Sequence, residues 1–176
     1  MRVRTENFAN AADGEAVLAE WRSVPRRLKN EIAVLVAYYE ALMRVGQHDK
    51  AEKDLSAALK ADWRAPLVRL FGRVEGPDPS KQLKRAESWL AKHGEDADLL
   101  LAAARLCLRN ELWGKARSYL ETVIALRPSA EAYQEYGRLL TQLGETDAAA
   151  DAYRDGLGMA ARNSLRAIPH LDADHA

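Results

Sequence analysis

Apolar and polar positions alternate along this chain with a helical period, and the helical pattern itself recurs on a longer one. In 46–59 (GQHDKAEKDLSAAL), 81–93 (KQLKRAESWLAKH), 111–126 (ELWGKARSYLETVIAL) and 144–157 (GETDAAADAYRDGL), Ala51, Ala86, Ala116 and Ala149 fall in register, 35, 30 and 33 residues apart. Four residues beyond each alanine stands a large side chain, Leu55, Leu90, Leu120 or Tyr153. Three further on come Ala58, His93, Val123 and Gly156. A step of four and then three traces one face of a helix. A period of about 34 residues is that of the tetratricopeptide arrangement, in which a small residue early in the second helix of each unit lets the first helix approach closely. The pattern therefore predicts an all-α solenoid of helical hairpins.

The predicted units span 32–65, 67–96, 97–129 and 130–160. The last is the most regular: Tyr133, Tyr136, Gly137, Leu140, Gly144, Ala149 and Tyr153 occupy the aromatic, apolar and small positions of the motif. The second diverges, because Gly76, Pro77 and Pro79 force its first helix to be short and leave a loop before Ser80, the expected cap of the next helix. Within 1–30, Ala16, Val17, Leu18 and Trp21 read as the end of a preceding helix that stops near Pro25, and 161–176 as a C-terminal cap or flexible tail. Asn110 and the Trp113-Gly114 pair interrupt the third unit. They are read as a turn, with Asn110 left-handed and Gly114 permitting close helix approach.

Composition narrows the function classes. Lys+Arg and Asp+Glu number 26 each, so no global field draws in nucleic acid. The one cysteine, Cys107, cannot form an internal disulfide, and there is no Cys/His cluster with zinc spacing. No apolar run reaches the ~18 residues of a membrane span, so a soluble domain is expected. Neither a phosphate-binding loop nor a dinucleotide glycine fingerprint is present. No catalytic set and no metal site is expected, and the chain reads as a non-enzyme.

The candidate binding residues lie on the first helices. Eleven residues before the registered alanines stand Glu40, Arg105 and Arg138, and seven before stand Arg44, Arg109 and Gln142. Arg105 and Arg109 are one turn apart and share a face. Arg44, Arg105, Arg109 and Arg138 can thus form a basic strip, with Gln142 beside it, able to fork onto carboxylates of a peptide or of porphyrin propionates. The competing reading is an arginine face paired with Glu40, Glu131 and Glu135. Cys107 reads as a small core residue and His93 as a partner of the last carbonyls of its helix. Both also remain candidate haem ligands. His170 and His175 fall in the tail. Trp63 and Trp113 occupy positions that pack one helix onto its neighbour.

Two strings are more specific than a generic repeat: Gln82-Leu83-Lys84-Arg85-Ala86-Glu87, and Leu106-Cys107-Leu108-Arg109-Asn110 running to Leu112-Trp113-Gly114-Lys115-Ala116-Arg117. Through them the chain resembles the C-terminal part of the HemY family of Proteobacteria, over roughly residues 15 to 160. The resemblance implies a scaffold associated with the bacterial inner membrane, on its cytoplasmic side, with partners among the enzymes of late haem and porphyrin biosynthesis. It carries over no catalytic residues. Members of that family begin with a membrane-anchoring hairpin that is not in this sequence, so the chain is expected to correspond to their soluble C-terminal half or to a truncated relative. Two functions follow as expectations. The first is a scaffold that holds a protein or peptide partner in an arginine-lined groove, without cofactor. The second is direct haem binding, with propionates on Arg105, Arg109 or Arg138 and His93 or Cys107 as axial ligand.

Overall fold

In the computed structural model, which describes residues 2–167, helix follows helix with no strand among the described residues. The order is α1 (Arg2–Asn10), α2 (Gly14–Ser23), a short 3-10 turn (Arg26–Leu28), α3 (Ile32–Arg44), α4 (His48–Ala61), α5 (Ala65–Arg73), α6 (Pro79–His93), α7 (Ala97–Arg109), α8 (Trp113–Leu126), α9 (Ala130–Gln142) and α10 (Thr146–Ala167). Hairpins α3–α4, α5–α6, α7–α8 and α9–α10 are the solenoid units, and each first helix packs beside the first helix of the neighbouring unit. The pair α1–α2 adds a further hairpin against α3. The hydrophobic pattern gave no sign of α1.

Small residues set the spacing between helices. Ala51, Ala86 and Ala116 have no exposed surface and Ala149 has 3 %, so the alanine register is the seam along which second helices meet first helices. Among the helical glycines the closest approach is at Gly72 on α5, where a Cβ would stand 2.5 Å from the Cα of Ala102 on α7.

Three inter-helix turns share one geometry. After α3, α7 and α9 the chain turns through a left-handed residue, Gly46 (φ 76°), Glu111 (φ 57°) and Gly144 (φ 78°). In each turn the next N–H, of Gln47, Leu112 or Glu145, donates back to Leu42, Cys107 or Leu140 at 2.8–2.9 Å. This closes the orphan carbonyls of the first helix. The left-handed residue of the third unit is Glu111, and Asn110 stays at φ −92°. Asn110 instead uses its side-chain N–H to donate to Leu106 O at 2.7 Å and to Pro79 O at 3.1 Å. A Cβ on Gly114 would meet nothing within 4 Å, so that glycine does not serve close approach.

The divergent second unit has no such turn. Helix α5 is nine residues long, and Asp78 caps α6 by accepting from Lys81 N–H at 2.9 Å, with Pro79 in the first turn. Asp78 therefore does what was expected of Ser80, because a proline at the first helical position places the capping residue directly before it. The carbonyls left open at the end of α5 are closed by side chains. The fully buried Gln82 donates through Nε2 to Phe71 O (2.9 Å) and Val74 O (3.1 Å). Arg109 donates to Gly72 O at 2.9 Å and also to Val74 O. Helix α10 continues to Ala167, beyond Met159 where the period fades in the sequence; residues 168–176, with His170 and His175, lie outside the described residues.

Candidate functional site

Helix α9 packs chiefly on α8 and α10 and touches α7 only lightly, so the first helices splay apart at the last unit. A cavity of about 470 Å³ opens at this splay. Helix α5 and its following loop supply Gly72, Arg73 and Glu75. Helix α7 supplies Arg105, Leu108 and Arg109, with Trp113 entering from the start of α8. The far side is Glu135, Arg138 and Gln142 of α9.

Of the residues that the repeat register singles out, Arg105, Arg109, Arg138 and Gln142 come together here. Arg44 does not. Its Nη2 donates to Phe8 O at 2.9 Å and to Ala11 O at 2.8 Å, tying the end of α1 to α3. Arg109 stands at the same register and does the same for the end of α5. In the first and third units, position seven before the alanine is thus a structural staple that reaches back to the previous hairpin, whereas Gln142 at the same register lines the cavity. Burial holds the Arg109 guanidinium below its ordinary value, with neighbouring Arg105 adding to the effect.

Arg105 and Arg138 share one acid. Arg105 Nε donates to Glu135 Oε1 at 2.8 Å, and Arg138 Nη1 to Glu135 Oε2 at 3.0 Å. A further bond joins Arg105 Nη2 to Glu131 Oε2 at 3.2 Å. Arg105 and Glu135 keep only 13 % and 11 % side-chain exposure, whereas Arg138 keeps 65 %. The remaining nitrogen of Arg105, Nη1, is buried and has no hydrogen-bond partner among the described residues. Repeat register missed Arg73 and Glu75 as lining residues, since the divergent unit breaks the alignment that located the others, and Trp113 of the third unit reads from the sequence as a packing residue only.

The two candidate haem ligands lie off this cavity. His93 stacks on Trp63, centroids 3.7 Å apart and planes within 10°, while Trp63 Nε1 donates to Asp96 Oδ2 at 3.0 Å. Cys107 has no exposed surface, and burial, reinforced by Glu87, pushes its thiol up to about 12. Among the described residues no group of three or more His, Cys, Asp or Glu is arranged to hold a metal, and no helix is long and apolar enough to cross a membrane.

The architecture is that of a tetratricopeptide-repeat protein, and a tetratricopeptide repeat family profile matches residues 130–163. Solved structures of MamA share the fold: one aligns with a TM-score of 0.57 at 18 % identity, covering 86 % of this chain and 92 % of that one. MamA 41-end from Desulfovibrio magneticus RS-1 aligns with a TM-score of 0.54 at 15 % identity, covering 92 % and 93 %. More particularly, the chain is HemY-like. Protein HemY of Escherichia coli K12 and that of Shigella flexneri are each 24 % identical to it over 157 residues, or 89 % of this chain. The alignment spans 39 % of the length of those relatives.

Proposed function

We propose that this solenoid is a non-catalytic scaffold that holds an extended segment of a partner protein in the cavity between α5, α7 and α9. The observation that carries the reading is the lining itself: Arg73, Arg105, Arg109 and Arg138 against Glu75 and Glu135, presented by three successive first helices. Repeat solenoids bind along such surfaces, because neighbouring units offer side chains at regular spacing to an extended chain. Similarity to HemY supports a partner among enzymes of late haem and porphyrin biosynthesis, and a place at the cytoplasmic face of the bacterial inner membrane. A protein segment suits the cavity better than haem does, because neither His93 nor Cys107 reaches it.

A photo-crosslinking amino acid at Gln142, inside the lining, and another at Lys60, exposed on α4, test the proposal in the protein's own cells. The expected product is a crosslink from position 142 to a haem-pathway enzyme that disappears with Arg138→Glu, and none from position 60. Equal labelling from both positions, or labelling indifferent to Arg138→Glu, overturns it. Titrating the purified chain with haem should give no Soret change that His93→Ala or Cys107→Ala removes.

A further inference from the structure

The lining carries more positive than negative charge, yet its arginines are not equally available. Arg109 is fixed to the carbonyls of Gly72 and Val74. Arg105 is held between Glu131 and Glu135. Arg73 and Arg138 are the exposed cations, with 54 % and 65 % side-chain exposure. Each has a single long or one-turn partner: Arg73 meets Glu40 at 3.5 Å, and Arg138 meets Glu135 three residues back. Exposed pairs of this kind contribute little to stability and exchange readily. Glu135 differs from both, because its carboxylate is buried and points each oxygen at a different arginine.

A carboxylate that bridges two arginines at the floor of an open cavity marks the position where an incoming carboxylate would be bound. Beside it lies the apolar part of the lining, Leu108 and Trp113, both partly exposed. We infer that the cavity seats an acidic peptide segment in which a carboxylate adjoins an apolar side chain, and that Glu135 holds the carboxylate's place on Arg138 until that segment arrives. This rests on the partner-binding reading above. The peptide carboxylate takes Arg138 in exchange for Glu135, which remains on Arg105. Arg73 closes on the peptide from the α5 side, and the adjoining apolar side chain covers Leu108 and Trp113. Glu75 and Glu135 on the same lining repel a compact dianion, so an inorganic phosphate is a poorer occupant than a singly charged carboxylate with an apolar neighbour.

Fluorescence anisotropy with the full chain tests this, using labelled octapeptides built on Leu-Glu-Leu-Glu and two controls, Leu-Gln-Leu-Gln and Ser-Glu-Ser-Glu. The first should bind about tenfold more tightly than either control, the scale of one charge-assisted contact or one buried apolar side chain. Arg138→Ala should weaken it about tenfold without moving the melting temperature, because that side chain is largely exposed. Glu135→Gln should tighten it roughly threefold or more, since it removes the internal competitor. If Glu135→Gln fails to fold, Glu135→Asp, which keeps the charge but withdraws it from Arg138, should tighten binding in its place. Equal affinity for the three peptides overturns the inference, as do displacement by millimolar inorganic phosphate and weaker binding in both Glu135 variants. Should the crosslink at position 142 persist while the peptides show no preference, the inference falls and the partner groove stands; loss of both removes the groove as well.

Discussion

A methyl group at Gly72 would stand 2.5 Å from the Cα of Ala102 and 2.7 Å from its Cβ, and neither neighbour can rotate away. Gly72→Ala must therefore separate α5 from α7, at a cost of about 1–3 kcal/mol readable by urea unfolding. Glu111 poses the opposite problem: it adopts φ 57° where the equivalent turns use Gly46 and Gly144. Replacing it with glycine relieves a left-handed strain of about 1–2 kcal/mol and gives back part through the looser unfolded chain. Glu111→Gly should therefore raise the urea midpoint by about 0.5–1 kcal/mol of stability. Ionisation of buried groups adds a pH limit. Burial pushes Cys107 and Tyr39 each up to about 12, from ordinary values of 9.0 and 10.0, and raises Tyr38 as well. The folded chain keeps these protons at pH values where the unfolded chain has released them. Their contribution is thus whole below about pH 9 and is lost as pH rises through 12. Urea midpoints should fall between pH 8 and 10.5, and Cys107 should react with a thiol reagent at pH 8 only after unfolding. Flat midpoints together with a reactive native thiol would contradict that burial.

Polar ties between successive hairpins explain why the most specific sequence lies in the diverging unit and in the unit that follows it. A regular hairpin closes its first helix with main-chain bonds around a left-handed residue, which almost any local sequence with a glycine can make. Helix α5 ends without that turn, so its carbonyls depend on Gln82 from α6 and Arg109 from α7, and Asn110 holds Pro79 at the start of α6. The two strings that carry the likeness to HemY contain these three residues, and their specificity is accounted for by this repair of a short helix. The alanine register was legible in the sequence because the same core contact recurs in every unit. The staple role of Arg44 and Arg109 was not, since it depends on where the preceding helix ends, which no residue near either arginine records. The same holds for the Glu135 bridge, where the sequence left paired and free arginines as equal readings. At the C-terminal end, Leu140, Ala149 and Ala152 form a core cluster of their own, joined by Tyr133, Tyr136 and Tyr153. Hairpin α9–α10 should therefore open as a separate unit. Hydrogen exchange by mass spectrometry should find α10 amides exchanging through openings at least about 1–2 kcal/mol cheaper than those of α7, whose residues 98–104 are all buried. Equal protection of the two helices would mean that the smaller cluster is continuous with the rest.

Across the molecule, almost all buried side chains of the main core precede Val123, and only Ala132 and Leu139 of α9 join it from beyond. The ion pair between Arg127 and Asp98 at 2.5 Å, with Arg69 at 3.2 Å from the same acid, also lies before α9 and ties the second unit to the third. Stability in a solenoid is close to a sum of unit and neighbour terms, so losing a terminal hairpin subtracts one interface and leaves the others standing. A chain ending at Ser129 should therefore fold. It should keep a single cooperative transition and lose about 2–4 kcal/mol, the worth of one buried leucine with its small neighbours and of the Glu135 pairing to Arg105. It should also lose the cavity, because Glu135, Arg138 and Gln142 all lie on the removed helix. Those two outcomes separate scaffold from site. Circular dichroism should show α1–α8 helical and melting cooperatively, while the Leu-Glu-Leu-Glu peptide no longer binds. If the shortened chain instead melted without cooperativity, the main core would depend on α9 for its integrity and the splay at α7 could not be a free-standing opening. If it folded and still bound the peptide with full affinity, the acidic segment would have to sit elsewhere on the first helices, with Arg73 and not Arg138 as its principal cation.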